Sequence, residues 1–289
     1  MRNLSLENVT PALENVFDQT PNPRLKQIMC ALVRHLHGFA REVQLTEEEW
    51  TYAMNFLVRA GQISDEKRNE FIMFSDILGL SAVVDLISHG NGMLETPASQ
   101  LGPFFVDNLP VAESHIVDLR QDNPGEPVLF TGTVIDGDGK PICGAIVDEW
   151  QTDGDGLYDV QLTELKGPRF RCRLRVDENG QFVLKTVRPR GYTAPMDGPG
   201  GEMLAATRRN IWRPSHFHFR IRATGYATIV TELFPEGDEH LDNDVAFGVR
   251  APLILNLPKC TSVEVGKKVG MPVPFTNIEY TFRMRRRSS

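Results

Sequence analysis

The chain has 289 residues, of which 41% are hydrophobic and 24% charged, enough for one large packed domain or two modest ones. Its net charge of -7 argues against a nucleic-acid partner, because polyanion binding relies on clustered basic side chains. No apolar run approaches the ~18 residues that span a bilayer, and the N-terminus lacks the basic and apolar segments of an export signal. We therefore expect a cytoplasmic protein without a membrane span.

Gly and Pro are unevenly distributed along the chain. Residues 1–95 contain 3 of the 19 prolines and 5 of the 24 glycines. This distribution predicts two regions, a helical one over 1–95 and a β-rich one over 96–289. The four cysteines are far apart and form no CxxC pair, so we expect free, mostly buried thiols.

The first region has apolar residues at helical spacing. Asn22 and Pro23 suit the cap and first turn of a helix, and Thr46 with Glu49 forms a capping box ahead of a second. A third helix is expected to begin at Ser64 and a fourth to cover 80–87. The pattern predicts a small helical region.

After Pro97 the sequence has the pattern of short strands. Val128 to Ile135 and Ile142 to Trp150 flank a Gly-rich turn, which predicts a hairpin. Phe170 to Val176 alternates apolar residues with arginines, typical of a strand with one buried face. Further strands are expected near 181–187, 217–221, 227–233 and 280–284. Strands of this kind, joined by Gly and Pro turns, favour a sandwich or barrel.

A histidine pair lies on one of these strands. His216 and His218 share one face, whereas Phe217 and Phe219 point to the other. Two imidazoles on one face can bind a single Zn, Cu, Fe or Ni ion. An HxH pair on a solvent-exposed strand is also common as ordinary polar surface. This motif alone is compatible with both interpretations.

Two tyrosines lie in irregular Gly/Pro-rich segments, Tyr158 and Tyr192. Each ring could also pack against its own loop, with its hydroxyl exposed to water and no metal bound. Phenol has a pKa near ~10, and a trivalent iron is a strong enough Lewis acid to deprotonate it. Two phenolates and two imidazoles would suit a ferric ion.

With these motifs in this order, the sequence resembles the intradiol ring-cleavage dioxygenases over most of its length. The segments that carry the resemblance are Leu101-Gly102-Pro103-Phe104-Phe105, Val147-Asp148-Glu149-Trp150-Gln151 leading to Tyr158, Tyr192 with Pro195 and Asp197-Gly198-Pro199, and Arg213-Pro214-Ser215-His216-Phe217-His218-Phe219. The resemblance implies one Fe(III) per subunit, held by Tyr158, Tyr192, His216 and His218. It also implies a mainly β fold, in which a catalytic β-sandwich over 96–289 follows an α-helical dimerisation and linker region over 1–95, with a lipid between the helices in some members.

Within this family the chain is most similar to the subgroup that cleaves hydroxyquinol (1,2,4-trihydroxybenzene). The runs Tyr158-Asp159-Val160-Gln161 and 241–249 carry this likeness, and so does Asp76, whose carboxylate would bind the third ring hydroxyl. The reaction implied is ring opening by O2 to 3-hydroxy-cis,cis-muconate, equivalent to maleylacetate. The residues expected to line the substrate pocket are Met73, Asp76, Leu101, Gly102, Pro103, Phe104, Ala194, Pro195, Arg213, Glu232 and Ala246.

Two residues have expected roles beside the metal. By resemblance, Tyr192 leaves the metal and takes a substrate proton, and Arg213 stabilises negative charge on the ring. Catechol enzymes carry glutamine where this chain has Glu232, whose carboxylate would either pair with Arg213 or bind another substrate hydroxyl.

Two alternatives remain on the sequence alone. Within the same class, the chain would be a catechol or chlorocatechol 1,2-dioxygenase, and Asp76 and Glu232 are the residues that distinguish these substrates. In a different class, it would be a metal-free β-sandwich binding module with a helical appendage. The second alternative predicts a colourless protein.

Overall fold

The structure is a computed structural model that describes residues 3–65, 68–89, 95–120, 125–162, 164–165 and 167–287. The chain divides into two compact units, Met1–Arg59 and Ala60–Ser289. All strands of the described residues belong to the larger unit. The compact units thus divide at residue 59, whereas helices continue to residue 89, so a functional boundary at residue 95 stays a prediction.

The smaller unit is built from α1 (Val9–Val16), α2 (Pro23–Glu42) and most of α3 (Glu47–Ile63). Asn22 caps α2, and its side-chain oxygen accepts hydrogen bonds from the backbone N–H groups of Arg24 and Leu25 at 2.9 and 3.1 Å. Thr46 and Glu49 form the expected capping box at α3. Both helix starts in this unit are therefore confirmed.

The larger unit contains α4 (Glu70–Ile77), α5 (Leu80–His89), α6 (Pro199–Ala206) and α7 (Val263–Val269). The expected helix start at Ser64 is wrong. The Ser64 hydroxyl donates to the carbonyl of Ala60 at 2.7 Å at the end of α3, and Asn69 caps α4 by accepting from Phe71 and Ile72, each at 3.1 Å. A side chain that can cap a helix can equally bond back onto the helix before it.

The described strands form two five-stranded sheets and a two-stranded one. The first sheet has the order β1-β5-β2-β12-β11, the second β10-β9-β8-β3-β4, and β6 pairs with β7. The strands are β1 (Ile116–Asp118), β2 (Pro127–Asp136), β3 (Ile146–Gln151), β4 (Arg171–Arg175), β5 (Gln181–Val187), β6 (Tyr192–Thr193), β7 (Trp212–Arg213), β8 (Phe217–Arg222), β9 (Ile229–Pro235), β10 (Ile254–Leu255), β11 (Lys259–Cys260) and β12 (Phe275–Met284).

The core of the larger unit lies between the two five-stranded sheets. Phe130 of β2 and Phe282 of β12 meet Phe219 of β8, with ring centroids 5.1 and 4.9 Å apart. All three side chains are buried in one hydrophobic cluster. The expected β-sandwich with helices N-terminal to it is confirmed.

The predicted hairpin between β2 and β3 is confirmed only at its turn, where Ile135 and Pro141 form an isolated antiparallel bridge, and the predicted pairing of the two strands is wrong. β2 pairs with β5 and β12, whereas β3 pairs with β4 and β8 in the opposite sheet. Phe130 and Val147 enter the same core from opposite sides, so the Gly-rich turn carries the chain from one sheet to the other. Alternation of apolar residues reports a buried face and does not identify the partner strand.

Two smaller expectations concern membranes and thiols. Among the described residues, no single helix is long and apolar enough to cross a membrane, and α4 with α5 meets that criterion only as a pair bent by 76°. The four cysteines are free, as expected, although Cys143 is exposed and only Cys172 is fully buried.

Candidate active site

The two histidines of β8 converge inside the protein. Phe217 and Phe219 pack into the sandwich core, which directs His216 and His218 to the other face of the strand. Their Nε2 atoms are 3.1 Å apart, and both side chains are buried. Nδ1 of His216 lies 2.7 Å from the carbonyl of Pro214, the position of a donor, so its Nε2 keeps a free lone pair.

Tyr158 is brought to this pair by a tight loop after β3. The Asp153 carboxylate accepts from the backbone N–H groups of Asp155 and Leu157 at 2.9 and 3.0 Å. Gly156 has φ +89°, a conformation that favours glycine, and its backbone passes close to the carbonyl of Gly191. The loop places the Tyr158 hydroxyl 3.3 Å from Nε2 of His216.

Tyr192 reaches the same place from a different segment. It lies on β6 opposite Arg213 of β7, and a side chain at Gly191 would collide with the Arg213 carbonyl. The rings of Tyr192 and Tyr158 are 5.6 Å apart and nearly perpendicular. Two tyrosines and two histidines therefore meet, from three separate segments of the chain.

Aromatic contacts hold these side chains in position. Trp150 of β3 stacks on His218, with centroids 4.7 Å apart and planes 5° from parallel. Phe104 stacks on Tyr158 at 4.4 Å. Such stacking restricts the rings without occupying their polar atoms.

Burial sets the protonation of the four side chains. It lowers the pKa of His216, and it lowers the pKa of His218 well below its ordinary value, so both imidazoles are neutral as metal ligation requires. Burial also raises the pKa of Tyr158 well above its ordinary value and raises that of Tyr192. The phenols keep their protons unless a cation compensates the charge of the phenolates.

Arg213 lies between two buried carboxylates. Its Nη1 donates to Oε1 of Glu232 at 2.6 Å, and its Nε and Nη2 donate to the Asp244 carboxylate at 3.1 Å each. Burial acts to lower the pKa of the Arg213 guanidinium, but Asp244 and Glu232 raise it well above its ordinary value. The arginine is a fixed positive charge.

Glu232 pairs with Arg213, which is one of the two roles expected for it. It lies on β9 directly opposite His218, is fully buried, and accepts a short hydrogen bond from the Ser99 hydroxyl. Burial acts to raise the pKa of its carboxyl, but the Arg213 guanidinium holds the pKa below its ordinary value. Its Oε1 is also 3.6 Å from Nε2 of His216.

A cavity of about 280 Å³ opens beside this cluster, large enough for a single aromatic ring. Ten of the twelve residues expected at the catalytic and substrate-binding positions line it, counting Tyr192 with the pocket residues. They are Met73, Asp76, Gly102, Pro103, Phe104, Tyr192, Ala194, Pro195, Arg213 and Ala246. Leu101 is outside the lining with 39% of its surface exposed, and Glu232 is buried behind Arg213.

Several residues that line the cavity were not predicted from the sequence. Ile72 and Ile77 share a face of α4 with Met73 and Asp76, so i+3 and i+4 spacing would have identified them. Gln100, Thr193 and Val245 are sequence neighbours of expected positions, whereas Arg68, Asn69, Glu70 and Gln161 are not. Asp76 is partly buried, and burial raises the pKa of its carboxyl while the Ser81 hydroxyl opposes the shift.

Comparisons with known proteins identify the family. Residues 101–287 match the family described as Dioxygenase, and residues 22–93 match the Catechol dioxygenase N terminus. The chain belongs to the intradiol ring-cleavage dioxygenase family and is an oxidoreductase. Members of this family depend on non-haem iron, act on aromatic diols with O2 and are typically dimers.

Within this family, the chain is similar to several individual dioxygenases. The chain is 45% identical over 254 residues to the 6-chlorohydroxyquinol 1,2-dioxygenase of Cupriavidus pinatubonensis, covering 88% of this chain and 92% of that protein. It is 42% identical over 261 residues to the hydroxyquinol 1,2-dioxygenase of Nocardioides simplex, covering 89% and 85%. The solved structure of hydroxyquinol 1,2-dioxygenase from Pseudomonas putida DLL-E4 matches with a TM-score of 0.88 and 39% identity, over 98% of this chain and 99% of that one.

Proposed function

We propose that the protein cleaves hydroxyquinol between its adjacent hydroxyl groups, with O2, to give 3-hydroxy-cis,cis-muconate, equivalent to maleylacetate. The observation that carries the proposal is one cavity with Tyr192, Arg213 and Asp76 in its lining, beside the buried cluster of Tyr158 and the histidine pair. The similarity to hydroxyquinol and chlorohydroxyquinol dioxygenases supports this choice of substrate.

We propose that Tyr158, Tyr192, His216 and His218 hold one Fe(III) per subunit. Two phenolates and two imidazoles are hard and intermediate donors that suit a trivalent ion, and the buried phenols need such a cation to ionise. The chemistry that Fe(III) would supply there is binding of the diol and activation of its ring toward O2. The histidines stay neutral ligands throughout.

Tyr192 is proposed to accept a substrate proton at its hydroxyl oxygen. It lines the cavity and is partly exposed, whereas Tyr158 is fully buried beneath Phe104. Of the two tyrosines, Tyr192 is therefore the one that an entering diol meets. As a general base, this phenolate would remove a proton from the bound diol.

Arg213 is proposed to stabilise negative charge that develops on the ring. Its guanidinium lines the cavity and is held by Glu232 and Asp244, so it does not reorganise during the reaction. A preorganised charge of this kind lowers a barrier because its orientation is fixed before the substrate arrives.

Asp76 is proposed to select the third ring hydroxyl. It projects from α4 into the cavity lining, and its carboxyl is largely removed from water. A buried carboxyl that gains a hydroxyl partner favours hydroxyquinol over catechol, because catechol leaves the carboxyl without that partner. Met73 and Ala246 complete the wall around the ring.

The test is a comparison of kcat/KM for hydroxyquinol and catechol. Replacing Asp76→Ala should lower kcat/KM for hydroxyquinol by about 5- to 150-fold, equivalent to ~1–3 kcal/mol, and leave catechol turnover nearly unchanged. Asp76→Asn, which keeps the shape and one acceptor oxygen, should lose less. Equal or faster use of catechol by the unaltered protein would contradict the assignment and favour a catechol dioxygenase.

We also propose that the chain is a homodimer through its N-terminal helices. Leu25, Ile28 and Leu32 of α2 each have nearly half of their surface exposed. An exposed apolar face of this kind on one helix can pack against the same face of a second copy of the chain. The acyl chain of a lipid would pack against it in the same way.

A further inference from the structure

Arg209 lies behind the cavity wall and binds two of its segments at once. Its Nη1 donates a hydrogen bond to the carbonyl of Ile77, at the end of α4, and its Nη2 donates to the carbonyl of Val245 at 3.1 Å. Ile77 and Val245 both line the cavity, whereas Arg209 is not among the described residues that line it. The arginine therefore supports the wall from outside and would not contact a bound substrate.

The two supported segments carry residues that are expected to meet the substrate. Asp76 directly precedes Ile77 in the chain, and Ala246 directly follows Val245. Asp76 and Ala246 line the same cavity. A shift of either supported carbonyl would therefore move a neighbouring residue of the substrate pocket.

The segment around Val245 is also tied to Arg213. The Asp244 carboxylate accepts from the backbone N–H of Ala246 at 3.1 Å. The same carboxylate accepts two hydrogen bonds from the Arg213 guanidinium, each at 3.1 Å. Arg209 thus connects the end of α4 to a segment that is itself bound to Arg213.

An aromatic ring restricts the Arg209 guanidinium further. Its Cζ lies 5.1 Å from the ring centroid of Phe247, a cation–π distance. Gly79, just after α4, lies beside the same ring, where a Cβ atom would be 3.6 Å from a ring carbon. A planar guanidinium that is held by a ring and by two carbonyls keeps those carbonyls at a fixed separation.

We propose that Arg209 is a positioning residue for substrate choice. By holding the end of α4 against residues 244–248, it sets where the Asp76 carboxyl meets the third ring hydroxyl. Hydrogen bonds weaken steeply as their angle becomes unfavourable, so a small shift of α4 weakens this contact. Catechol lacks that hydroxyl and is insensitive to the shift. The inference rests on the proposed function, because Arg209 acts through Asp76.

The test compares kcat/KM for hydroxyquinol with kcat/KM for catechol in the iron-loaded, full-length protein. Arg209→Gln should lower the ratio of the two by about tenfold, mainly through KM for hydroxyquinol, which is less than the ~100-fold that a misplacement of 1 Å can cause. The ratio does not depend on the fraction of folded, active protein, because both substrates are measured on one sample.

Arg208→Gln is the matched control. Arg208 is the adjacent residue and is exposed, and its side chain has no hydrogen bond or ion pair with the described residues. Its replacement loses the same charge and should change the ratio by less than about twofold. Arg209→Lys keeps the charge but cannot bridge both carbonyls with one planar group, so its ratio should fall between those of Arg209→Gln and the unaltered protein.

A double-mutant cycle separates positioning from a general weakening of the fold. In protein that already carries Asp76→Ala, Arg209→Gln should change the ratio by less than about twofold, because the contact that Arg209 positions is already absent. Independent effects of the two replacements would multiply instead. If Arg209→Gln yields no folded protein, Arg209→Lys takes its place in the cycle, with a smaller expected change.

The outcomes that contradict the inference are distinct from those that contradict the proposed function. An unchanged ratio in Arg209→Gln would overturn the inference, and so would an equal change in Arg208→Gln or multiplying effects in the cycle. When the unaltered protein prefers hydroxyquinol and Asp76→Ala lowers the ratio, such a result defeats the role of Arg209 alone. If the unaltered protein prefers catechol, or Asp76→Ala leaves the ratio unchanged, the proposed choice of substrate fails and the role of Arg209 fails with it.

Discussion

The two walls of the cavity differ in how they are built. The strand wall carries Tyr192 and Arg213, whose backbones are paired across β6 and β7, and the Arg213 guanidinium is bound by the buried carboxylates of Glu232 and Asp244. The helix wall is the eight-residue α4, with Met73 and Asp76 on its inner face. The groups proposed for the chemistry thus lie on paired strands, whereas the group proposed for substrate choice lies on a short helix.

The ends of α4 have identifiable attachments. At the start, the buried Glu70 carboxylate accepts from the backbone N–H of Gly200 at 2.7 Å. At the end, the Arg209 guanidinium binds the carbonyls of Ile77 and Val245. Gly200 and Arg209 both lie between β6 and β7, so these bonds connect the two ends of the helix wall to the segment that joins the strands of the other wall.

The largest effect is expected at Arg213. Arg213→Met should lower kcat by about 100- to 1,000-fold, as when a preorganised charge is removed, and should do so equally for hydroxyquinol and catechol. It also leaves Glu232 and Asp244 as unpaired buried carboxylates, which should lower the free energy of unfolding by about 3–5 kcal/mol. Steady-state kinetics with both substrates and denaturant unfolding measure these effects.

Arg213→Lys is the matched control because it keeps the charge and loses the two-pronged contact. It should fall between the unaltered protein and Arg213→Met in both measurements. If Arg213→Met lowered activity only toward hydroxyquinol, the strand wall would contribute to substrate choice. That result would contradict the proposed separation of roles between the two walls.

A second prediction concerns Glu149, which shares β3 with Trp150 but points to the opposite face. Its carboxyl is fully buried, and neither oxygen has a hydrogen-bond partner among the described residues. Burial raises its pKa well above the ordinary value, and Arg171 opposes the shift. Glu149→Leu should therefore raise the free energy of unfolding by about 1–3 kcal/mol near neutral pH, without changing selectivity.

The sign of the pH dependence follows from the raised pKa. Above the ordinary carboxyl pKa the unfolded chain loses the Glu149 proton while the folded chain keeps it, so stability falls as pH rises. The advantage of Glu149→Leu should therefore grow from pH 4 to pH 7 in denaturant titrations. A constant or shrinking difference would show that this carboxyl has a partner.

The smallest effect is expected at the cap of the helix wall. Asn69→Ala removes the acceptor for the N–H groups of Phe71 and Ile72 and should lower the free energy of unfolding by ~1 kcal/mol. We expect KM for hydroxyquinol to rise while the visible spectrum stays unchanged, because α4 carries Asp76 and none of the proposed ligands. Asn69→Asp, which keeps an acceptor oxygen, should be nearly neutral, and a changed spectrum would contradict the separation of the two walls.

Sequence reasoning predicted the fold class correctly but not every strand pairing. His216 and His218 could be placed on one face because a strand alternates its side chains, and the loop tyrosines followed from the order of motifs. These side chains come together only in the tertiary structure, and the spacing of residues in the sequence does not predict that they do. The partner of β2 was predicted wrongly, because local alternation fits either sheet of a sandwich.

The role of Glu232 illustrates the same limit. From sequence its carboxylate had two open roles, and only the cross-strand position of β9 beside His218 pairs it with Arg213. The start of α4 was missed because Ser64 and Asn69 are both good capping residues. Which one caps is decided by the end of α3, where Ser64 bonds back to Ala60.

Two tyrosines and two histidines are proposed to hold the ferric ion. The most direct measurement is the visible absorption spectrum of the iron-loaded protein, in which tyrosinate bound to Fe(III) gives a charge-transfer band and a red-brown colour. We predict this band with one iron per subunit, and its loss when Tyr158→Phe and Tyr192→Phe are combined. A colourless protein that contains stoichiometric iron, or colour that survives the double replacement, would contradict the account.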